Sequence, residues 1–357
     1  MELLVDISKK FEGFELAVSF EVNNETLGFL GASGSGKSLT LRGIAGLITP
    51  SRGRIILNDR VLFDSERGIN LPAQKRSVGF LFQNYALFPH LTVAQNIAFG
   101  LQKLPKKEQV RRVEEKLTMT QLEGLGSKYP YQLSGGQQQR TALARALAIE
   151  PDVLLLDEPF SALDNHLRSQ MEKELIETLS NYKGITIFVT HNLEECYRVC
   201  DKIAVMEAGQ AVTCGSKEDI FLNPQKVSIA RLTGCKNISK CKAVSSSNAV
   251  MAADWGCSLD VDQPVSPQST HIGIRAHQIH FVKDLSLKNT FPCWVADVAE
   301  TPYQTTLYLS LNTPPANSNQ YHIQVKLNKD KYLDSLKQRP LPWLVHLAPE
   351  YLFLMKD

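Results

Sequence analysis

This chain of 357 residues has almost no excess of charge of one sign, because its 39 lysines and arginines are nearly balanced by 37 aspartates and glutamates and the net charge is only +2. So small an excess excludes the broad basic surface of a nucleic-acid-binding protein, and we expect no nucleic-acid partner. Long apolar runs are absent too, since none approaches the roughly 18 residues that a membrane span needs. The first six residues lack the basic and apolar regions of a secretion signal. We therefore expect the chain to remain in the cytoplasm.

Cysteine is scattered and odd in number, since the chain has 7. None lies in a Cys-x-x-Cys pair, which excludes a disulfide framework and a cysteine-based zinc site, so we expect reduced structural thiols. Three histidines, His271, His277 and His280, lie near one another in the sequence. Their spacing fits no zinc pattern and no acidic cluster accompanies them, so we expect a strand and its exit there instead of a metal site.

One segment that is present has a clear chemical meaning. Residues 31–38 read Gly-Ala-Ser-Gly-Ser-Gly-Lys-Ser, which is the P-loop pattern, between a predicted strand at residues 26–30 and a predicted helix over 39–44. In this context backbone N–H groups surround phosphate oxygens at a helix N-terminus. We expect Lys37 to reach the β- and γ-phosphates and Ser38 to bind Mg²⁺. The predicted nucleotide contacts are Gly31, Ser33, Gly34, Ser35, Gly36, Lys37, Ser38 and Leu39.

A second phosphate site is predicted at residues 133–137, Leu-Ser-Gly-Gly-Gln, before a predicted helix over 138–149. Ser134 is a favourable N-cap, and the glycines behind it leave backbone N–H groups exposed at the positive end of the helix. An ordinary capped helix explains these five residues equally well. A second phosphate site would be notable, because one P-loop already suffices for one nucleotide.

Residues 133–137 reproduce the signature of the ATP-binding-cassette (ABC) ATPases, and the chain resembles that family. The resemblance implies that two cassettes meet head to tail, so that the signature of one contacts the γ-phosphate held by the P-loop of the other. The expected signature contacts are Ser134, Gly135, Gly136 and Gln137. With one P-loop and one signature, the chain is expected to work as a homodimer, with pairing to a close paralogue as the alternative, and to hydrolyse ATP with Mg²⁺.

The catalytic motifs of that family follow in its order. The apolar run at residues 153–156 predicts a strand buried on both faces, and Asp157 and Glu158 lie at its end, where α/β sheets bind ligands. The resemblance implies that Asp157 is the aspartate on the Mg²⁺ side and that Glu158 polarises the attacking water.

Two further strand-like runs precede Gln83 and His191. The resemblance implies that Gln83 links the metal and the attacking water to a membrane partner, and that His191 contacts the γ-phosphate. The expected Mg²⁺ ligands are Ser38, Gln83 and Asp157. Asp164 resembles a residue of the loop that communicates across the dimer and is a further expected nucleotide contact.

Two aromatic residues, Phe11 and Phe14, are available for the stacking on adenine that is usual in the family. We expect Phe11 to do so, and burial of both rings in the neighbouring sheet is the alternative. Residues 85–91 are aromatic and apolar for a loop, and in the family this region grips a helix of a membrane subunit. We expect Tyr85, Leu87 and Phe88 to dock two permease subunits, and packing inside the helical subdomain is the alternative.

The resemblance implies an α/β P-loop NTPase fold over residues 1–232, with a helical subdomain at about 86–145. Short β-branched runs then predict a small all-β barrel at 233–357, similar to the OB-type (TOBE/MOP-like) regulatory domain of bacterial importers. An oxyanion site on this domain is one expectation, and a domain that only braces the dimer is the alternative. The predicted strands lie at residues 271–275, 293–298, 305–309, 322–325 and 343–347.

The cargo is expected from resemblance alone, because cargo does not touch the cassette. Residues 53–79, with the insertion at 65–68, look like the molybdate-importer ATPases. We therefore expect a bacterial importer subunit for an oxyanion, molybdate first, bound peripherally at the cytoplasmic face of the membrane and served by an extracytoplasmic binding protein. Sulfate/thiosulfate, iron(III), polyamine or sugar import is the alternative. A soluble ABC ATPase is more remote, since a second cassette and a coiled-coil insertion are missing.

Overall fold

The computed structural model of the chain describes residues 1–161, 163, 165–244, 248–329 and 340–357. The predicted nucleotide contact Asp164 lies outside the described residues. The chain forms two compact units, Met1–Lys217 and Glu218–Asp357. In the described part of the chain, no helix is both long and apolar enough to span a membrane.

The first unit is built from one large sheet and six helices among its described residues. Its strands are β1 (Leu3–Phe11), β2 (Phe14–Val22), β3 (Thr26–Leu30), β4 (Arg52–Leu57), β5 (Arg60–Asp64), β6 (Ile69–Asn70), β7 (Val78–Leu81), β8 (Val153–Asp157), β9 (Ile185–Thr190), β10 (Lys202–Glu207) and β11 (Gln210–Ser216). Its helices are α1 (Lys37–Ala45), α2 (Val93–Ala98), α3 (Lys106–Met119), α4 (Gly135–Ala148), α5 (Asn165–Ser180) and α6 (Leu193–Val199).

The strand order of this sheet is β6-β5-β4-β1-β2-β11-β10-β3-β9-β8-β7. The run from β10 to β7 is parallel throughout. Every residue of β8 and β9 is buried, as predicted for strands covered on both faces. Parallel strands end at the same edge of a sheet, so the segments that follow β3, β7, β8 and β9 emerge side by side.

Two of the buried cysteines, Cys196 and Cys200, pack closely against strand β3. A Cβ atom on Gly28 of β3 would lie 2.6 Å from the Cys200 sulfur and 2.8 Å from the Cys196 sulfur. Glycine at this position therefore lets α6 pack directly on the strand that leads into the P-loop. All seven cysteines are free, and six of them are buried.

The guanidinium of Arg76 is fully buried at the C-terminal end of α1. It donates to the carbonyl oxygens of Gly43 and Ile44, both at 2.9 Å, and to that of Leu71 at 2.8 Å. Carbonyls in the last turn of a helix lack partners within it, so Arg76 supplies them. The helix after the P-loop is thereby fixed at the end away from that loop.

The predicted helix over 138–149 begins earlier, at Gly135, because Ser134 is its N-cap. Helices α2, α3 and α4 enclose a separate apolar cluster that includes Val93, Ile97, Val113 and Ala144. This cluster is the core of the helical part of the first unit.

Among its described residues, the second unit contains two sheets, one complete α-helix and a short 3-10 helix (Pro349–Tyr351). Helix α7 (Lys217–Leu222) lies at its start. The complete α-helix is α8 (Val227–Leu232), and the strands are β12 (Asn237–Ala243), β13 (Ala249–Ala252), β14 (Cys257–Asp260), β15 (His271–Ile274), β16 (His280–Val282), β17 (Thr290–Glu300), β18 (Gln304–Leu311), β19 (Ile323–Asn328), β20 (Trp343–His346) and β21 (Phe353–Met355).

These strands form one sheet of order β14-β13-β12-β15-β21 and another of order β16-β20-β17-β18-β19. The five strands predicted from sequence are β15, β17, β18, β19 and β20, and all five are present. The buried cluster between the sheets includes Trp255, Leu259, Ile272 and Val345.

The boundary between the units lies at residues 217 and 218, before the predicted boundary at 232 and 233. The reason is the packing of α8. Val227 and Ala230 share a buried cluster with Phe353 and Met355, and the Val227 N–H donates to the Lys356 carbonyl at 3.1 Å. Residues 218–232 therefore fold with the C-terminal strands.

The burial of β8 on both faces generates a stability prediction. We expect Leu155→Ala to lower the free energy of unfolding by about 2–5 kcal/mol, because Leu155 is 0% exposed and removing its methyl groups leaves a cavity. Leu47→Ala is the matched control, since Leu47 is 49% exposed. Urea unfolding of the intact chain measures both, and equal losses would contradict the assigned core.

Candidate functional site

The P-loop adopts a conformation that depends on its glycines. Gly34 and Gly36 have φ values of 81° and 101°, in the left-handed region that glycine adopts without strain. A Cβ atom on Gly31 would lie 2.3 Å from the Met206 carbonyl oxygen, and one on Gly36 would lie 2.7 Å from the Leu16 side chain. The loop therefore curls tightly against its neighbours and turns into α1.

Lys37 is the first residue of α1 and only 5% exposed. Its Nζ donates to the carbonyl oxygens of Gly31 and Ala32, both at 2.9 Å. Burial lowers the pKa of the Lys37 ammonium, and the charges of Glu158 and Asp157 act in the opposite direction. The ammonium is thus held inside the P-loop, where it can meet a phosphate.

Ser38 and Asp157 bring two oxygen atoms together at the start of α1. The Ser38 hydroxyl donates to Asp157 Oδ1 at 2.7 Å. Asp157 is 3% exposed, and burial raises the pKa of its carboxyl group while the Ser38 hydrogen bond lowers it. A hydroxyl and a carboxylate at this spacing are the hard oxygen ligands that Mg²⁺ prefers, so the pair fits that ion.

Glu158 lies at the centre of a polar group after β8. Its Oε2 accepts a hydrogen bond from Gln83 Nε2 at 3.2 Å and lies 3.3 Å from His191 Nδ1. The Glu158 backbone has a φ of 46°, and its N–H donates to the Val189 carbonyl at 2.9 Å. A left-handed conformation costs an L-residue about 1–2 kcal/mol, and such strain concentrates at functional sites.

Lys37, Ser38 and the group around Glu158 line one cavity of about 460 Å³. That volume lies in the range of small-molecule sites. Its lining brings together residues that the sequence predicted: Ser33, Gly34, Ser35, Gly36, Lys37, Ser38, Leu39, Gln83, Glu158 and His191.

A supporting pair behind His191 was not predicted. The Thr190 hydroxyl donates to Glu195 Oε2 at 2.5 Å, and Glu195 Oε1 lies 3.6 Å from Arg168 Nε. Burial raises the pKa of the Glu195 carboxyl group. The Asn192 N–H donates to the Thr190 hydroxyl oxygen at 3.0 Å, so these contacts fix the strand end that carries His191. The only local signal was an acidic residue in the first turn after the N-cap Asn192.

The signature residues form a capping box at the start of α4. The Gln137 N–H donates to Ser134 Oγ at 3.3 Å, and the Ser134 N–H donates to Gln137 Oε1 at 3.0 Å. Ser134, Gly135, Gly136 and Gln137 are not among the described residues that line the cavity. One chain therefore carries two phosphate-binding candidates that it does not bring together itself.

Phe11 and Phe14 face one another at the turn between β1 and β2, with ring centroids 6.2 Å apart. The Phe14 ring lies against Gly36, since a Cβ there would be 3.2 Å from Phe14 Cζ. The Phe11 ring is half-buried under Lys9, whose Nζ is 5.6 Å from the ring centroid. Stacking of Phe11 on adenine stays a prediction.

The segment after Gln83 corrects one expectation. Tyr85 is 5% exposed, so it packs inside the unit and does not belong to a docking surface. Leu87 and Phe88 are half-buried, and the Phe88 ring lies 4.2 Å from that of Phe99. Tyr85 and Ala86 have φ values of 60° and 44°, two successive left-handed residues that turn the chain sharply.

Comparison with known proteins agrees with this geometry. The ABC transporter family model matches residues 16–161. A probable sulfate/thiosulfate import ATP-binding protein of Chlorella vulgaris is 45% identical over 239 residues, which are 66% of this chain and 99% of that protein. A spermidine/putrescine import ATP-binding protein of Oleidesulfovibrio alaskensis is 49% identical over 219 residues, 60% of this chain and 57% of that protein.

Solved structures give the same fold. The ATP-binding cassette MJ0796, in a dimeric post-hydrolysis state bound to ADP and Pi, has a TM-score of 0.52 at 28% identity and covers 61% of this chain and 99% of its own. CbiO1 from Clostridium perfringens, part of an ABC transporter complex, has a TM-score of 0.54 at 30% identity, covering 61% and 90%.

The matched region contains the P-loop, the signature and the Asp157–Glu158 pair, and the relative from Chlorella vulgaris is matched over nearly its whole length. The first unit has the P-loop cassette fold, and the chain is an ATPase whose hydrolysis of ATP is coupled to transport. This chain belongs to the ATP-binding proteins of ABC importers.

Proposed function

We propose that this chain energises the import of sulfate or thiosulfate by a bacterial transporter, as a homodimer bound to two permease subunits at the cytoplasmic face of the membrane. The observation that carries the catalytic part is the convergence of Lys37, Glu158 and His191 on one cavity beside the Ser38–Asp157 pair. The extracytoplasmic binding protein stays a prediction.

The cargo is argued from the relatives. Those reported above are named for sulfate/thiosulfate and for spermidine/putrescine. They give no support to molybdate, which the sequence alone had favoured. We therefore place sulfate and thiosulfate first, and molybdate and polyamines become arms of the test.

Each residue of the cavity has a chemical role in this proposal. Lys37 donates to the β- and γ-phosphates in place of the carbonyls that it now contacts. Ser38 and Asp157, with Gln83 nearby, would hold Mg²⁺, which supplies positive charge to the phosphate oxygens. Glu158 Oε2 orients a water molecule toward the γ-phosphorus and accepts its proton while the bond to the β-phosphate oxygen breaks.

The remaining contacts come from both ends of the site. His191 donates to the γ-phosphate from its place 3.3 Å from Glu158. Phe11 stacks on adenine. Ser134, with the N–H groups of Gly135 and Gly136, approaches the γ-phosphate of a second copy from the N-terminus of α4. The dimeric cassette of the solved relative supports this arrangement.

Two further parts follow from the family. Leu87 and Phe88 offer an apolar surface to a permease helix, supported by the half-exposure of both side chains. We also propose that the second unit is an OB-type regulatory domain, which its two packed five-stranded sheets support among the described strands. An oxyanion site on that unit stays a prediction.

The role of Glu158 is tested by Glu158→Gln. We expect ATP binding to remain and the hydrolysis rate to fall by about 100-fold or more, since an amide accepts no proton from the attacking water. Nucleotide titration and phosphate release measure the two effects. Glu66→Gln, at an exposed position outside the cavity lining, is the control. An unchanged rate in Glu158→Gln would remove Glu158 from catalysis.

The role of Asp157 generates a prediction with two opposite effects. Burial raises the pKa of its carboxyl group, so the ionised form destabilises the nucleotide-free protein at neutral pH. We expect Asp157→Asn to raise the free energy of unfolding, measured by urea at pH 7 with EDTA, and to abolish Mg²⁺-dependent hydrolysis.

The matched control for that measurement is Asp262→Asn, at an exposed position of the second unit. We expect it to change neither stability nor hydrolysis. A less stable Asp157→Asn protein that keeps its Mg²⁺-dependent rate would contradict both halves of the assignment.

Cargo is tested by uptake in host cells that lack this chain. We expect labelled sulfate and thiosulfate uptake to fall and to return when the chain is restored, with molybdate and spermidine uptake unaffected. Loss of molybdate or spermidine uptake alone would support an importer function but assign that compound as the cargo. Loss of none of the four would contradict the proposed cargo class.

A further inference from the structure

Arg145 connects two parts of the first unit that the proposed function uses separately. It lies on α4, the helix that begins after Ser134. Its guanidinium donates to the carbonyl oxygens of Tyr85 and Ala86, both at 2.7 Å, and lies 5.5 Å from the centroid of the Phe88 ring. One side chain of the signature helix therefore holds three residues of the segment at 85–91, which we name the docking segment.

The chemistry of this contact is specific to arginine. Arg145 is half-buried, and no carboxylate pairs with it within the part of the chain that the structure describes. Its partners are two neutral carbonyls and a ring face, which the planar fork of a guanidinium can serve at once. A lysine ammonium on a flexible stem cannot reproduce two aligned donors and a flat stacking surface.

The two carbonyls are brought side by side by the backbone of the docking segment. Tyr85 and Ala86 are both in the left-handed region, with φ values of 60° and 44°. L-residues adopt that region only when the surroundings impose it. The contact with Arg145 therefore belongs to what sets the shape of the segment.

A second side chain holds the same segment to the helical part. Asn96 of α2 is 0% exposed, and its Oδ1 accepts from the Phe88 N–H at 2.9 Å. Its Nδ2 donates to the carbonyl oxygens of Phe88 and Leu91 at 3.2 and 3.0 Å. Both α2 and α4 contribute to one apolar cluster, so the segment is clamped on both sides by a single packed body.

On its other side the docking segment continues into the catalytic cavity. Gln83 lies two residues before Tyr85, and its amide donates to Glu158 at 3.2 Å. A displacement of the segment can therefore reach Glu158 through the chain and Ser134 through Arg145 and α4. Arg145 makes the direct contact of the second route, whereas Asn96 lies on α2, which meets α4 in the apolar cluster.

We propose that Arg145 is a positioning residue that makes the docking segment and the signature helix move together, so that a permease helix bound at Leu87 and Phe88 displaces Ser134. This inference rests on the proposed function, in which the segment docks a permease. It assigns to Arg145 a role in transport and none in the hydrolysis that the purified cassette performs alone.

The test uses Arg145→Lys, which keeps the charge, and Arg145→Met, which keeps the stem and fills similar space. Arg145→Met leaves the Tyr85 and Ala86 carbonyls without this donor, whereas Arg145→Lys can still donate to one of them, so a folding failure of Arg145→Met leaves Arg145→Lys to test the inference. Arg112→Lys is the control, since Arg112 lies on α3 and pairs with Glu108 and Glu150 away from the segment.

Three quantities are measured for each variant of the full chain. These are the ATPase rate of the purified protein, the amount found with the membrane fraction of complemented host cells, and their uptake of labelled sulfate and thiosulfate. We expect both Arg145 variants to keep the ATPase rate within about twofold and to remain at the membrane, while uptake falls about tenfold or more. We expect Arg112→Lys to match the wild type in all three.

The outcomes separate the inference from the proposed function. If the wild-type chain restores no sulfate or thiosulfate uptake, the proposed cargo fails whatever Arg145 does. If the wild type restores uptake and either Arg145 variant restores it equally, the inference is overturned. Loss of the purified ATPase rate in both variants also overturns it, since Arg145 would then serve the fold or the catalytic site as a whole.

Discussion

The register of three parallel strands is the constraint on which the catalytic site depends. β9 pairs with β3 on one side and with β8 on the other, so Leu30 lies opposite Thr190 and Asp157 lies opposite Val189. The next residues along the chain are then Gly31, Glu158 and His191. A shift of one residue would point every side chain of a strand to the opposite face. The complete burial of β8 and β9 therefore fixes the geometry of the cavity as well as the stability of the sheet.

The same site holds groups in states that folding alone does not favour. Burial lowers the pKa of Lys37 and raises that of Asp157, so the surroundings of each group disfavour its charged form. Glu158 adds a left-handed backbone. A bound triphosphate would give Lys37 a negatively charged partner, and a bound cation would give Asp157 a positively charged one. Binding of a triphosphate and a cation would therefore recover free energy that folding loses at these residues, which favours these ligands over neutral ones.

Contiguous motifs could be predicted from the sequence because their chemistry lies within a few residues of chain. The P-loop, the signature capping box and the acidic pair after β8 are of this kind, and the strand order brings the P-loop and the acidic pair to one edge of the sheet. The contacts of Arg76 and Arg145 could not be predicted, since their partners lie 33 and 60 positions away and no local pattern marks them. For Tyr85 the sequence favoured docking and left packing inside the subdomain as the alternative, because an aromatic residue in a loop gives the same local pattern whether it is exposed or buried.

The position of the docking segment gives the head-to-tail pair that we propose a mechanical consequence. Gln83, two residues before the docking segment, contacts Glu158 of its own cavity. In the proposed pair, Ser134, which is reached through Arg145 and α4, would complete the cavity of the other copy. One docked permease helix then acts on both nucleotides, on one through the attacking-water side and on the other through the γ-phosphate side. With two copies, each cavity receives one influence from either docking segment. In that pair, hydrolysis at either site would depend on both permease subunits. If a permease helix bound only one docking segment, each cavity would receive only one of its two influences.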